Sequence, residues 1–471
     1  MEIEKQTCIF GEGLMKKIFL VLAIFLFGNF VLASEVVILH TSDTHGRIAP
    51  IEYKGRKNVA GISRRSTYIN QMRATNKNVL LLDSGDVFQG SLYYRHDYGK
   101  LNAKLLRYLK YDAIVLGNHE FDNGVRVLRR NVKNSKTQFL SANVHFDDYY
   151  LKKAVKPYII KEIDGEKYLI IGVTTSDLAN LSDTSYAKVT DATEEIKKIV
   201  KTVKYDHLII LSHCGLDEDR KIAKEVPNID LIVGGHNHFF FETPTYVGST
   251  PIVQDGEFGV RVGVLDFDKK LKHYIHTNIT PELKSDTKID KIIAQTDKRI
   301  AHSTKKVIAK TNVTLIGDQY IIEHNQTNLG KLVLLSMTKA FPCYDAVMTN
   351  SGSIRVNRNI KNQVTYGDAL EILPFENKVV LVELQGKYLK EALQKGQTTT
   401  RRYLQYHLNI DKIDDNKIYN VITNEYVASG KDGYEPFVHG KIVKVSRRSQ
   451  INLFCDLLQS MKVITNNNIK F

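Results

Sequence analysis

Short runs of consecutive apolar residues recur through the first half of the chain, each bounded by polar or glycine-containing segments. Such runs are typical of buried strands. They predict strands at residues 36–40, 79–83, 113–116, 169–173, 208–212 and 231–233. Between them, residues 100–109 and 192–203 repeat apolar positions with helical spacing. The alternation predicts a layered α/β domain whose catalytic groups lie in loops beyond the strand ends.

A polar, lysine-rich segment separates this region from a second one. Residues 281–306 show helical spacing of apolar positions at Ile289, Ile292, Ile293 and Ile300, which predicts a linking helix. Beyond it the mixed pattern returns, with strands predicted at 345–349 and 379–384 and a helix at 386–393. The sequence therefore predicts a catalytic α/β domain over 34–280, the linking helix, and a second α/β domain over 307–471.

The amino-terminal residues have the pattern of a secretory signal. After Met15, two lysines precede an apolar run that begins at Ile18, and small residues follow at Ala33 and Ser34. The run is shorter than the roughly 20 apolar residues of a membrane-spanning helix. We expect translation to begin at Met15 and residues 1–33 to be removed, with an uncleaved anchor as the alternative. The mature protein should be secreted, periplasmic or extracellular, without stable membrane insertion.

Charge and cysteine content add little to the predicted fold and location. The 471 residues carry a net charge of +14, which suits an anionic substrate, a nucleic acid or an anionic membrane. No basic run has interleaved aromatic residues, so we expect no nucleic-acid polymer as partner. Cys8 lies in the segment expected to be removed, and a disulfide between Cys343 and Cys455 is one alternative in an oxidising compartment. No segment signals a particular oligomeric state.

Five strand–loop junctions of the first region carry Asp, Asn or His. They read DTH at 43–45, GDVFQG at 85–90, GNHEFD at 117–122, SHCG at 212–215 and GGHNH at 234–238. Each alone is weak, because a single histidine is often structural and an Asp beside Gly often forms a turn. Together they predict a centre of two divalent metal ions bridged by a carboxylate. Mixed imidazole, carboxylate and amide ligands favour Zn²⁺, Mn²⁺ or Fe over Mg²⁺ or Ca²⁺.

The order and flanking residues of these segments resemble the calcineurin-like metallophosphoesterases. They are most similar to the secreted 5'-nucleotidase family, which includes periplasmic UDP-sugar hydrolases and 2',3'-cyclic nucleotide phosphodiesterases. The resemblance implies one metal ion held by Asp43, His45 and His238, another held by Asn118, His213 and His236, and a bridge formed by Asp86. It also implies that His119, oriented by Asp122, stabilises the transition state or protonates the leaving oxygen. A structural histidine is the alternative for His119.

Three segments of the second region resemble the family's substrate-binding elements. They read NSGSIR at 350–355, LPFEN at 373–377 and SGKDGY at 429–434, with Ser353 and Lys431 where relatives have glycine. The resemblance implies that Asn350 and Arg355 contact the substrate and that Phe375 and Tyr434 clamp the nucleobase. It also implies that the second domain rotates about the linking helix. The two replaced glycines leave the base preference open, because glycine lets backbone approach a ligand closely.

The function that the resemblance implies is hydrolysis of nucleoside 5'-monophosphates, and also of UDP-sugars, by water activated at two metal ions. A 2',3'-cyclic nucleotide 2'-phosphodiesterase/3'-nucleotidase is the first alternative, because it shares every motif named above. A thiosulfohydrolase is a less favoured alternative, because a base clamp would serve no purpose in such an enzyme. A non-catalytic nucleotide-binding protein is the alternative from another class, and it is disfavoured because no expected metal ligand is missing.

Overall fold

The computed structural model describes residues 36–398 and 403–471, so the predicted signal sequence lies outside the described residues. No helix within these two ranges is long and apolar enough to span a bilayer. The strands are β1 (Val36–Thr41), β2 (Ile51–Tyr53), β3 (Arg56–Val59), β4 (Val79–Asp83), β5 (Ala113–Val115), β6 (Phe139–Leu140), β7 (Val144–Phe146), β8 (Val155–Lys156), β9 (Tyr158–Ile163), β10 (Glu166–Thr174), β11 (Ala187–Val189), β12 (His207–His213), β13 (Leu231–Val233), β14 (Thr245–Val247), β15 (Thr250–Val253), β16 (Arg261–Asp268), β17 (Lys270–Asn278), β18 (Val307–Leu315), β19 (Ala346–Asn350), β20 (Ile360–Thr365), β21 (Lys378–Gln385), β22 (Leu404–Leu408), β23 (Ile418–Asn424), β24 (Lys441–Ser449) and β25 (Val463–Ile464).

The helices follow the apolar spacing of the sequence. They are α1 (Ile62–Thr75), α2 (Leu92–Asp97), α3 (Lys100–Leu109), α4 (Gly124–Ser135), α5 (Tyr149–Ala154), α6 (Leu178–Leu181), α7 (Ala192–Thr202), α8 (Leu216–Glu225), α9 (Thr287–Thr304), α10 (Gln319–Ile322), α11 (Asn328–Thr338), α12 (Tyr366–Ile372), α13 (Gly386–Thr398), α14 (Glu425–Ala428) and α15 (Gln450–Met461). Short 3₁₀ turns occur at His119–Phe121, Ser351–Ser353 and Glu435–His439.

Two sheets packed face to face form the first half of the molecule. One sheet has the order β17-β16-β1-β4-β5-β6-β8, and the other has the order β14-β15-β13-β12-β10-β9. The central strands of both are parallel and buried on both faces, which explains their continuous apolar runs. Ile38 and Leu82 of one sheet share a buried cluster with Ile170 and Leu211 of the other. Helices α1, α3 and α4 cover the outer face of the first sheet, and α7 and α8 cover that of the second.

The second half contains a five-stranded sheet, β22-β19-β23-β21-β24, and a three-stranded sheet, β20-β18-β25. Helices α11 and α15 contribute Leu332 and Phe454 to one buried cluster, together with Val347 of β19. A second cluster contains Met348 of β19 and Leu389 of α13. Mixed sheets layered with helices in both halves confirm the predicted α/β fold class.

The helix predicted at 281–306 is shorter in the structure and begins at Thr287. Asp286 accepts hydrogen bonds from the backbone amides of Lys288 and Ile289, at 2.9 and 3.3 Å, and so caps the first turn. Ile289, Ile293 and Ile300 are buried, as the apolar stripe requires. The division of the chain into domains at residues 280 and 307 stays a prediction.

The cysteine alternative is wrong in this structure. Cys343 and Cys455 are both free, and they differ in environment: Cys343 is exposed, whereas Cys455 is buried. Cys455 lies on α15, where its side chain joins the apolar cluster formed with α11 and β19. A thiol facing this core is not available to a partner on the surface.

Candidate metal centre and catalytic site

The seven predicted metal ligands lie at the carboxyl ends of five parallel strands. Asp43 and His45 follow β1, Asp86 follows β4, Asn118 follows β5, His213 ends β12, and His236 and His238 follow β13. Because β1, β4 and β5 belong to one sheet and β12 and β13 to the other, the side chains meet where the two sheet edges adjoin. This is the edge at which α/β sheets gather their sites.

Asp43, His45 and His238 form the first group. One ligand atom from each lies within 4.8 Å of the other two. His45 Nε2 and His238 Nε2 are 3.1 Å apart, and His238 Nε2 is 3.4 Å from Asp43 Oδ1. The other ring nitrogen of His238, Nδ1, lies 2.7 Å from Glu257 Oε2. This carboxylate holds the ring so that Nε2 faces the group, an arrangement typical of metal-binding histidines.

Asn118, His213 and His236 form the second group. Asn118 Oδ1 lies 3.1 Å from His236 Nδ1 and 3.3 Å from His213 Nε2. The Nδ1 atom of His213 is 2.5 Å from the carbonyl oxygen of Ser84, to which it donates, so its Nε2 is left as a ligand atom. An amide oxygen and two imidazole nitrogens are a donor set that fits a borderline divalent cation.

Asp86 lies between the two groups. Its Oδ2 atom is 3.2 Å from His213 Nε2 of the second group and 3.9 Å from His45 Nε2 of the first. Its Oδ1 accepts the backbone N–H of His119 at 2.8 Å. Gly117 is required beside it, because a Cβ at that position would lie 2.2 Å from Asp86 Oδ1. Asp86 therefore lies within reach of both groups.

Backbone strain is concentrated in these loops. Asp43, His45, Asp86, His236 and His238 all have positive φ, between 46° and 73°, in the left-handed region that L-residues with side chains avoid. Such conformations cost of order 1–3 kcal/mol each and cluster at functional sites, where the surrounding structure enforces them. The convergent donors and the strained loops together fit a pair of bound cations.

The pKa values of the predicted ligands are also compatible with bound cations. Burial raises the pKa of Asp86, but the neighbouring His213 and His119 outweigh it and hold that pKa well below its usual range. Burial and the charge of His213 lower the pKa of His236 to about 3, so this ring is neutral. Burial lowers the pKa of His213, but the charge of Asp86 and their hydrogen bond raise it to about 10. A cation binding here would displace that proton.

His119 and Asp122 form a hydrogen-bonded pair beside the metal groups. His119 Nδ1 lies 2.6 Å from Asp122 Oδ2. Burial lowers the pKa of His119, but the charges of Asp122 and Asp86 and the Asp122 hydrogen bond outweigh it, so the pKa is raised. His119 also lies within 4.8 Å of ligand atoms of His45 and Asp86. Its Nε2 faces a guanidinium nitrogen of Arg355 at 3.4 Å.

Two predicted substrate residues reach this site from the second half of the chain. Arg355 Nε donates to the carbonyl oxygen of Gly352 at 2.9 Å, which orients the guanidinium towards His119. The Phe375 ring stacks near His119 with 6.1 Å between ring centroids, and the Arg355 guanidinium carbon lies 5.9 Å from the Phe375 centroid. Asn350 is buried, and its amide nitrogen donates to Asp432 Oδ2 at 2.9 Å.

The structure does not bring Tyr434 to the cleft, which corrects its prediction as the second face of a base clamp. Its side chain is 1% exposed and packs in the cluster of Leu389 and Phe437. Gly430 and Gly433 have φ of 80° and 82°, so the loop turns sharply before Tyr434. Tyr434 directly precedes the turn Glu435–His439, and its ring packs in the core. Lys431 occupies the loop instead, 5.7 Å above the Tyr426 ring.

Two carboxylates near the ligands, the buried Glu120 and the partly buried Glu257, were not predicted from the sequence. Glu120 accepts the backbone amides of Gly117, Asp86 and Phe88, at 2.6, 3.0 and 3.1 Å, and so joins two ligand loops. Glu257 binds His238, as described above. Both had a detectable signal: Glu120 lies inside GNHEFD, and Glu257 follows the end of β15, as the ligands follow their strands.

Replacing Glu257 with glutamine should weaken metal binding by about 10- to 100-fold, because the ring of His238 loses its orienting carboxylate. The measurement is a titration of the chelated protein with metal, in which binding is detected by fluorescence or calorimetry. Glu242→Gln is the matched control, because Glu242 pairs with Arg261 at 2.8 Å and has no contact with a ligand. Equal metal affinities of the two variants would contradict the role of Glu257 in orienting His238.

Comparison with known proteins gives concordant matches. Residues 36–240 match the calcineurin-like phosphoesterase family, and residues 307–411 match the 5'-nucleotidase C-terminal domain. The snake venom 5'-nucleotidase of Gloydius brevicauda is 30% identical over 76% of this chain and 70% of its own length. The trifunctional nucleotide phosphoesterase YfkN of Bacillus subtilis is 29% identical over 86% of this chain, which spans only 33% of that protein. The solved 5'-nucleotidase precursor of Thermus thermophilus is 29% identical, with a TM-score of 0.82 over 91% of this chain and 97% of that one.

Proposed function

The chain belongs to the 5'-nucleotidase family of calcineurin-like phosphoesterases, and on this premise we propose that it hydrolyses nucleoside 5'-monophosphates to nucleoside and phosphate. It is thus a phosphoric ester hydrolase. One observation carries the proposal: the predicted ligands converge around Asp86, and beside them His119 faces Arg355 across a gap of 3.4 Å. Two adjacent basic groups next to a cation centre can both donate to a phosphoryl group that lies beside them.

Asp43, His45 and His238 would hold one divalent metal ion of the Zn, Mn or Fe type, and Asn118, His213 and His236 the other, with Asp86 shared. The chemistry that two such ions supply is activation of a water molecule and neutralisation of charge on phosphoryl oxygens. The protein's part is to hold the ligand rings in place through Ser84 and Glu257 and to keep the carboxylate of Asp86 ionised.

His119 would act on the leaving oxygen of the substrate. Its Nδ1–H donates to Asp122, which leaves Nε2 facing the cleft. Because Asp122 favours the protonated ring, Nε2 is suited to donate a proton to the departing ribose oxygen. Arg355 approaches from the opposite side and would bind a phosphoryl oxygen. The resulting roles are orientation by Asp122, proton transfer by His119 and charge stabilisation by Arg355.

Contacts between the two halves of the chain support a substrate that bridges them. Arg95 of α2 donates to the carbonyl oxygens of Leu373 and Pro374, at 3.4 and 2.7 Å, directly before Phe375. Tyr426 donates to the carbonyl oxygen of Leu181 at 3.0 Å. We infer that this structure has the closed arrangement and that the second domain opens to admit substrate and release product.

Phe375→Ala should raise the KM for AMP by about 5- to 100-fold, the range of one lost base stack. The measurement compares AMP with ribose 5-phosphate, which has the same phosphoryl group but no base. If Phe375 binds the base, hydrolysis of ribose 5-phosphate keeps its wild-type KM. An equal loss for both substrates would show that the ring supports His119 instead.

Hydrolysis of AMP, a UDP-sugar and 2',3'-cyclic AMP by the purified mature protein, measured by chromatography of the nucleotide and nucleoside products, tests the proposed substrate class. We expect AMP to have the highest kcat/KM. Preference for the cyclic nucleotide would keep the site and change the reaction to that of a cyclic phosphodiesterase. We further propose that the protein acts outside the cytoplasm, which the secretory pattern of residues 15–34 supports. Export of the full chain with loss of its amino-terminal residues would test this location.

A further inference from the structure

The helices that cover the first sheet carry basic side chains without acidic ones. Helices α3, α4 and α5 contain nine Lys or Arg residues and no Asp or Glu. Helices α7 and α8, which cover the second sheet, contain six basic and six acidic residues. Charge needed only for solubility would not require this segregation, because mixed surface charges serve that purpose.

The basic side chains of α3 and α4 point to solvent along parallel stripes. Those of α3 recur three or four residues apart, and Arg126 and Lys133 of α4 are two helical turns apart, so each helix presents a charged side. No ion pair between described residues includes any of the following six exposed side chains: Lys104, Arg107, Lys110, Arg126, Lys133 and Lys136. Arg129 of α4 pairs at 3.2 Å with Asp148, which directly precedes α5. We name the exposed sides of α3, α4 and α5 the basic face.

A surface pocket of about 320 Å³ opens between the carboxyl ends of α3 and α4. It is lined by Arg107, Lys110, Tyr111, Ser135, Lys136 and Thr137. The cationic groups of Arg107, Lys110 and Lys136 are donors that phosphate oxygens accept from, whereas the hydroxyls of Tyr111 and Ser135 are buried and hydrogen-bonded within the protein. The negative helix end is covered, because Arg73 donates to the carbonyl oxygens of Leu109 and Lys110, both at 2.7 Å. The pocket therefore fits a phosphate group.

The basic face does not belong to the catalytic cleft. In a right-handed crossover the helix runs back from the carboxyl end of its strand, so the carboxyl ends of α3 and α4 lie at the sheet edge opposite the metal ligands. Attraction of nucleotide substrate does not explain cations at that edge. Two tyrosines of these helices are exposed on the surface as well: Tyr108 of α3 is 37% exposed and Tyr149 of α5 is 73% exposed.

We propose that the basic face docks the enzyme on an anionic phospholipid membrane, with one headgroup phosphate in the pocket between α3 and α4. A planar surface contacts three adjacent helices at once, whereas a rod-like nucleic acid contacts one or two. Exposed tyrosines are suited to the headgroup region, because their rings are apolar and their hydroxyls polar. Docking by this face leaves the catalytic cleft open to soluble nucleotides.

The test is cosedimentation of the mature protein with vesicles of phosphatidylglycerol and phosphatidylcholine in equal parts, at low and at high salt. Wild-type protein should bind these vesicles at low salt, lose most binding at high salt, and show no binding to pure phosphatidylcholine. The combined substitution Lys104→Gln, Arg107→Gln, Lys133→Gln and Lys136→Gln should lower binding by about 100-fold or more, since each basic residue near an anionic surface contributes about fivefold.

The matched control removes four exposed charges from α7 and α8: Lys198→Gln, Lys201→Gln, Arg220→Gln and Lys224→Gln. It should bind vesicles nearly as wild type does, and both quadruple variants should keep wild-type AMP hydrolysis, which shows that they fold. Equal loss of binding in the two variants would overturn the proposal in favour of net charge alone. No vesicle binding by wild-type protein, or binding of duplex DNA in place of vesicles, would also overturn it.

Discussion

Replacing Asp86 with asparagine should lower kcat/KM for AMP by about 10³-fold or more and should reduce the bound metal in the same protein. The substitution keeps the shape of the side chain and removes its charge from the position shared by both ligand groups. Metal ions supply several kcal/mol of charge stabilisation to phosphoryl transfer, and each 1.36 kcal/mol is a tenfold change in rate. The measurement combines steady-state kinetics with metal analysis of the dialysed protein.

Asp112→Asn is the control for this variant. Asp112 also accepts a backbone amide, from Leu81 at 2.9 Å, and pairs with Lys161 at 2.6 Å. It precedes β5 and therefore lies at the sheet edge away from the metal ligands. The control should keep its metal content and its activity. Normal metal content and activity in Asp86→Asn would remove Asp86 from the bridging position.

Replacing His119 with alanine should lower kcat for AMP by about 10²- to 10⁴-fold, the range of a lost general acid, while the metal content stays at the wild-type level. The reason is that His119 Nε2 faces the cleft and its Nδ1 is held by Asp122. Steady-state kinetics and metal analysis on one preparation separate this variant from Asp86→Asn, which loses both activity and metal.

A second substrate sharpens the test of His119. The leaving group of p-nitrophenyl phosphate is p-nitrophenolate, a stable anion that needs little protonation. Hydrolysis of this substrate by His119→Ala should therefore fall much less than hydrolysis of AMP. Equal losses for both substrates would assign His119 to charge stabilisation rather than proton transfer. A loss of metal in the variant would make His119 a ligand, a role that its closeness to His45 and Asp86 also permits.

The core strands and the ligand loops could be predicted because their signals are local. An apolar run followed by Asp, Asn or His is visible in one stretch of sequence, and parallel strands bring such stretches to one edge. Helix α3 was predicted with its observed bounds for the same reason: its apolar positions follow a single helical period.

Side-chain direction in the second half could not be predicted in the same way. Tyr434 follows a glycine-rich loop that resembles a base-binding element, but whether its ring faces the cleft depends on distant residues such as Leu389, which receive it in the core. The role of Glu257 is equally non-local, since it depends on the ring of His238 lying nearby in space. The start of the linking helix at Thr287 was decided by one cap, Asp286, inside a uniformly polar segment.

The most direct test of a two-metal centre is a stepwise return of metal to chelated protein, with bound metal and AMP hydrolysis measured in each sample. A two-metal centre predicts no phosphate release after chelation, binding of two Mn²⁺ or Zn²⁺ ions per chain, and full activity only once both ions are bound. Full activity in protein that holds fewer than one ion per chain would contradict it, as would two bound ions without hydrolysis of AMP or any other nucleotide.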